Sequence, residues 1–169
     1  KGRQYSTSEL LADKASEELE NGSFATIYLS PKDYHRIHMP CDGVLISMKY
    51  IPGNLFSVNQ KTVNQVKRIF ARNERLICLF DTDFGVMAFV LVGAIFVGSM
   101  QTEWQGQITP PYSKTVINYD YKGREIRLAK GDELGRFNMG STVIMLLPEK
   151  STEINLIEGQ ELKMGQAII

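Results

Sequence analysis

The stretch Val86–Met100, V-M-A-F-V-L-V-G-A-I-F-V-G-S-M, is the most apolar window of the 169-residue chain, and its reading decides the fold. A membrane-spanning helix needs about 20 consecutive apolar residues. This window has 15, many of them β-branched, and is broken by Gly93 and Gly98. Those features predict short buried strands. Just before it, Arg75–Phe80 has the same character, and Asp81-Thr82-Asp83-Phe84-Gly85 between the two reads as a turn.

Working outward, strand-like runs recur at Phe24–Leu29, Val44–Ile51, Ile95–Thr102, Lys114–Tyr119, Glu125–Ala129, Thr142–Leu147 and Glu161–Ala167. Pro52-Gly53, Pro110-Pro111 and Lys122-Gly123 punctuate them. Ahead of the first strand, Ser6-Thr7-Ser8-Glu9 has the form of a capping box. Leu10, Leu11, Ala15 and Leu19 follow at helical spacing, and Asn21-Gly22 is a stop signal, so a helix is expected from about Thr7 to Glu20. The pattern predicts a mainly β (α+β) fold: one barrel- or sandwich-like antiparallel domain over residues 1–169 with a short N-terminal helix.

Nineteen basic and nineteen acidic residues cancel, which leaves no basic excess for a nucleic-acid partner. Cys41 and Cys78 do not make a disulfide framework, and a reduced compartment fits them best. The chain begins at Lys1 rather than at methionine and shows no signal peptide, so it is expected to be a piece of a longer protein.

Two places could carry chemistry. His35 and His38, the only histidines, lie three apart in D-Y-H-R-I-H-M-P-C. They read as exposed loop imidazoles, as zinc ligands together with Cys41, or as acid–base groups. Pro40 argues against one helix presenting all three ligands, and no second ligand cluster exists, so no metal is expected. The second place is Gly140-Ser141-Thr142, ordinarily a turn. A serine there becomes a nucleophile if a histidine reaches it, and the glycine before it leaves a carbonyl carbon open to attack. No G-x-S-x-G elbow is present.

Four stretches taken together are more specific. Y-L-S-P-K-D-Y-H-R-I-H-M-P-C-D-G (Tyr28–Gly43), P-G-N-L-F-S-V-N (Pro52–Asn59), F-A-R-N-E-R (Phe70–Arg75) and G-R-F-N-M-G-S-T (Gly135–Thr142) resemble the bacterial, pyruvoyl-dependent phosphatidylserine decarboxylase family. The resemblance runs from Lys1 to about Pro148.

It implies that Ser141 attacks the Gly140 carbonyl and that the chain cleaves itself between them. Residues 1–140 and 141–169 would remain together as a heterodimer of large and small chains. Ser141 would become a covalent pyruvoyl cofactor, whose Schiff base with phosphatidylserine drives decarboxylation to phosphatidylethanolamine. The resemblance makes His38 the base for cleavage and assigns His35 to decarboxylation or protonation. It also places Tyr28, Phe56, Ser57 and Val58 at the substrate. A homo-oligomer, peripheral on the cytoplasmic face of the bacterial cell membrane and working against its lipid surface, is expected.

Further expectations follow from that role. His38 should lie nearer the bond than His35, and Ser141 should sit at a strand's mouth with an accessible hydroxyl. Met139 stands where the family has leucine, a volume-conserving change. The family's Ala-Asp-Gly aspartate has no counterpart here, and Asp42-Gly43, which follows the histidines, does not take its place. The competing reading is a non-catalytic β-rich carrier or lipid-binding module, which would not require the four motifs to occur together.

Overall fold

The computed structural model describes residues 6–168 except 14, 16, 96, 98, 150, 152 and 153. Their elements run, in chain order, α1 (Thr7–Leu11), β1 (Ser23–Leu29), β2 (Arg36–His38), β3 (Gly43–Ile51), α2 (Gln60–Gln65), α3 (Ile69–Arg72), β4 (Arg75–Thr82), β5 (Gly85–Val92), β6 (Met100–Thr102), β7 (Gly106–Thr109), β8 (Ile117–Asp120), β9 (Arg127–Leu128), β10 (Glu133–Phe137) and β11 (Ser141–Leu147). The large sheet has the order β1-β11-β5-β4-β3-β8, with β9 also on β3; the small one has the order β2-β10-β6-β7. Every ladder is antiparallel, as the sequence pattern predicts.

The deciding window is a strand at the heart of the large sheet. β5 is buried from Met87 to Val92, and all seven residues of β11 beside it are buried. Both faces of these strands are covered, so their sequences run apolar without alternating. A fully buried aliphatic side chain stabilises by about 1.5–3 kcal/mol, and Val90, Leu91 and Val92 are all at 0% exposure. The β4–β5 hairpin closes through Asp83-Phe84, with Gly85 at φ 93° and the Thr82 hydroxyl donating to the Gly85 carbonyl.

Several expectations change. The N-cap half of the box forms, with the Ser6 hydroxyl accepting from Glu9 N at 3.2 Å, while the Glu9 carboxylate pairs with Arg68; the helix stops at Leu11 rather than near Glu20, and Ala12 turns left-handed. A tertiary contact explains this. Arg75 donates to the carbonyls of Leu10 (2.7 Å) and Glu9 (3.1 Å), which a longer helix would spend on its own next turn.

Ile95–Thr102 contracts to the three residues of β6; two positions of that run lie outside the described residues. Lys114–Tyr119 shortens and shifts to Ile117–Asp120, and Glu125–Ala129 contracts to Arg127–Leu128. Glu161–Ala167 forms no strand: of its side chains only Leu162 is partly buried, so the segment has no apolar face to press on a sheet. β2, β7 and β10 were not anticipated, being short and largely polar.

Candidate functional site

Ser141 is the first residue of β11, opposite Leu29, the last of β1. The preceding Gly140 is packed against the turn that leaves β1. A Cβ at this position would stand 2.8 Å from both Leu29 O and Pro31 N, so only glycine fits. That turn is held by Asp33, whose carboxylate accepts from Ser30 N and Ser30 Oγ, both at 2.8 Å. Those two bonds hold the Asp33 carboxyl below its ordinary pKa.

The H-x-x-H segment continues from the same turn into β2. Arg36 pairs with Arg136 of β10, and one step on, Phe137 N donates to His35 O at 3.1 Å. The chain is thus anchored twice, at Leu29–Ser141 and at His35–Phe137, on either side of Gly140.

Alternation then separates the two histidines. His35 shares the inward face of β2 with buried Ile37, beside Phe137 and Met100, and its Nε2 is buried without a partner. His38 lies on the other face with Arg36, opposite Glu133 at the far end of β10. Its Nδ1 faces Gly131 O at 2.7 Å and its Nε2 faces the Tyr34 hydroxyl at 2.8 Å, with the two rings stacked at 5.7 Å. A carbonyl only accepts, so the Gly131 bond assigns the proton to Nδ1 and leaves the Nε2 lone pair to accept from Tyr34. This is the tautomer of a base, held on the outer face.

Two expectations are therefore corrected. In this register His35, not His38, lies at the end of β10 that leads to the Gly140–Ser141 bond. The Ser141 hydroxyl is not accessible either. The residue has 0% exposure, and its Oγ donates to the Val92 carbonyl at the end of β5, because β11 enters the sheet interior at once.

The expected substrate residues divide. Tyr28 pairs with Thr142 and is exposed on the edge strand β1. Phe56 is half-buried under the Arg72 guanidinium, 5.0 Å from the ring centroid, and Ser57 beside it is half-buried. Val58 is at 3% exposure and belongs to the core, so it supports this loop rather than facing a ligand. A cavity of about 390 Å³ lined by Gly22, Ser23, Phe24, Ile154 and Leu156 lies at the opposite end of β11, where Ser23 pairs with Leu147. Among the described residues no three His, Cys, Asp or Glu side chains converge as a metal site would require.

Sequence reasoning missed several polar residues buried beside the bond. Thr142 Oγ1 and Ser99 Oγ, like His35 Nε2, are buried without partners. Asn138 N donates to Ser99 O at 3.2 Å, so Ser99 runs beside the residues entering Gly140. Asn73 and Glu74 sit across from Gly93, which donates its N–H to Glu74 O at 2.8 Å. Tyr50 donates to the Glu74 carboxyl at 2.7 Å, and burial, outweighing that bond, holds this carboxyl above its ordinary pKa. The four motifs contain Asn73, Glu74 and Thr142 and hinted at them only as a group, and Ser99 lies outside all four, because a buried polar side chain looks like a surface one in sequence.

The family model for phosphatidylserine decarboxylase matches residues 1–169. A phosphatidylserine decarboxylase proenzyme of Vibrio parahaemolyticus is 53% identical over 98% of this chain and 60% of its own length. One from Methylococcus capsulatus is 52% identical over 99% of this chain and 60% of its own length. One from Acidovorax ebreus is 55% identical over 90% of this chain and 55% of its own length. The chain thus spans about 60% of the length of the curated relatives it matches.

Proposed function

Since the chain belongs to the phosphatidylserine decarboxylase family, we propose that it forms the catalytic part of an enzyme that decarboxylates phosphatidylserine to phosphatidylethanolamine, activated by self-cleavage between Gly140 and Ser141. The observation that carries this reading is the bond itself. It joins a glycine with no room for a side chain to a buried serine, and three unpartnered polar atoms lie on the segments around it. Buried polar atoms without partners are rare in folded proteins and mark places where something else is bound or formed.

Ser141 Oγ attacks the Gly140 carbonyl carbon. The new C–O bond replaces the C–N bond, and the hydroxyl proton ends on the freed amine. Loss of the Cα proton of residue 141 then expels Gly140 as a carboxylate. Water displaces the nitrogen as ammonia, leaving a pyruvoyl group at the head of residues 141–169. Its carbonyl supplies an electrophile for the substrate's amine and a sink for the electrons released with carbon dioxide.

The protein's own groups do the rest. His38 is the base for cleavage: its Nε2 lone pair is already set by Gly131, and reaching the serine takes a change in the position of its segment as well as loss of the Tyr34 partner. His35 Nε2 faces inward and takes its missing partner from the substrate, where it handles the proton of decarboxylation. Thr142 Oγ1 and Ser99 Oγ fit the polar atoms of the new terminus and headgroup. Tyr28, Phe56 and Ser57 border the lipid, with Val58 beneath them.

Cleavage would leave β11 paired on both sides, with β1 and β5, so the two chains stay together. Among the described residues no helix is long and apolar enough to cross a membrane. Phe24 and Tyr28 are exposed on one face of β1, which suits a peripheral position on the cytoplasmic face of a bacterial membrane; the enzyme works there as a homo-oligomer. Intact mass over a maturation time course tests the reading. It should show residues 141–169 lighter than their sequence by the conversion of serine to pyruvoyl. A single uncut chain with full decarboxylase activity would end it.

A further inference from the structure

The F-A-R-N-E-R stretch carries part of the family resemblance, yet nothing in the proposed reaction uses it. At its centre Asn73 has 0% exposure and three hydrogen bonds to the backbone of two separate segments. Its Oδ1 accepts from Phe56 N at 3.1 Å, while its Nδ2 donates to Phe56 O at 2.8 Å and to Gly93 O at 2.9 Å. Two carbonyls can only accept and one N–H can only donate, so the orientation of the amide is unambiguous.

Both ends of this bridge lead to the site. On one side is the loop Pro52–Val58, which lies flat on the segment carrying Asn73. Asn54 N donates to Arg72 O at 2.9 Å, Glu74 N donates to Asn54 O at 2.8 Å, and a Cβ on Gly53 would stand 2.5 Å from Asn73 C. On the other side is Gly93, whose own carbonyl accepts from Asn73 and whose N–H belongs to the adjoining Val92–Gly93 peptide. The carbonyl of that peptide, from Val92, receives the Ser141 hydroxyl, and its N–H is held by Glu74 O. Arg75 pairs with Val92 and Val92 with Thr142. One step along, Gly93 lies against Glu74, and a Cβ there would meet Glu74 Oε1 at 2.9 Å.

We propose that Asn73 is a positioning residue that ties the Phe56 loop to Gly93, the residue that follows the Val92 carbonyl on which Ser141 rests, aligning the substrate side of the site with the residue that cleaves. This rests on the proposed cleavage at Gly140–Ser141. Asn73 touches neither the bond nor the substrate; it acts through Gly93 and Phe56. Misplacing a reacting group by an ångström costs on the order of 100-fold in rate, so a small shift of the Val92–Gly93 peptide is enough to be read.

The test compares two variants in the full chain. Asn73→Asp keeps the shape and the bond from Phe56 N but turns an acceptor toward Phe56 O and Gly93 O. Leu79→Ala removes a buried side chain (6% exposed) in the middle of β4, away from the loop. Asn73→Asp should slow appearance of the 141–169 chain on the order of 10- to 100-fold, with Asn73→Ser in between. Leu79→Ala, at an equal or larger loss of melting temperature, should stay within about twofold.

Wild-type cleavage in the Asn73→Asp protein, or equal slowing by Leu79→Ala, overturns the proposal. A wild-type chain that never cleaves at 140/141 instead overturns the reading on which it rests. If the Asn73 variants fail to fold, amide exchange in the uncut Ser141→Ala protein decides. The Phe56 and Gly93 amides should be protected to the same degree, and an unprotected Phe56 amide beside a protected Gly93 removes the tie.

Discussion

The two ends of β11 differ in kind. At the Leu147 end, the neighbouring Leu146 and Met145 are apolar and buried, and the nearby β4–β5 hairpin keeps its polar groups at the surface. At the Ser141 end, Asn73, Glu74, Arg75, Ser141 and Thr142 are all buried at or just before the starts of β4 and β11, and Ser99 is buried beside the approach to Gly140. Burying polar groups costs free energy unless each finds a partner, and two of these hydroxyls have none. One end of the strand is built for stability. The other accepts a cost that stability alone does not explain.

Changes at the Ser141 end should therefore act on chemistry, and changes at the Leu147 end on stability. The largest effect is expected from Ser141→Ala, which should abolish cleavage and activity while the chain remains folded. Intact mass and a melting curve check this, and two chains from that variant would break the contrast outright.

Next comes the histidine pair. Histidine acid–base catalysis contributes roughly 10²–10⁴-fold. His38→Ala should block cleavage to that extent, whereas His35→Ala should cleave and then lose turnover. The opposite result in gel time courses and lipid assays would exchange the two roles and favour His35, the inward-facing residue, as the base.

Gly140→Ala should slow cleavage by about tenfold or more and cost about 1–3 kcal/mol in denaturant unfolding, because its Cβ would press on backbone at Leu29 and Pro31. Leu147→Ala should cost about 2–5 kcal/mol yet leave cleavage of the folded protein within about twofold. A rate loss there would erase the distinction between the ends.

The smallest effect concerns Glu74. Its folded pKa is raised by burial, so the folded chain holds this proton more tightly than the unfolded one. Stability should fall as pH rises from the ordinary value of 4.5 through the raised folded value. Glu74→Gln should flatten that slope in unfolding curves measured across the same range. An unchanged slope would mean that this carboxyl does not titrate on unfolding.

How much was legible follows from the same physics. Phe24–Leu29, Val44–Ile51, Arg75–Phe80, Val86–Val92 and Thr142–Leu147 were read to within two residues of their observed bounds, because long apolar runs have few other ways to be buried. In sequence, Gly140 and Ser141 are only a small-residue step before such a run, and the family resemblance supplies their suggested role.

What the sequence determined by itself was an antiparallel β protein with a capped first helix and one candidate bond. Tertiary structure decided where that helix stops, since Arg75, distant in sequence, takes its last carbonyls. It also decided which histidine faces inward, because one step along a strand reverses the face and the register of β2 on β10 is set across nearly 100 residues. Finally, it gathered Asn73, Glu74, Ser99 and Thr142 around Ser141. Local patterns report which side chains avoid water; only the closed sheet decides which polar groups are buried together.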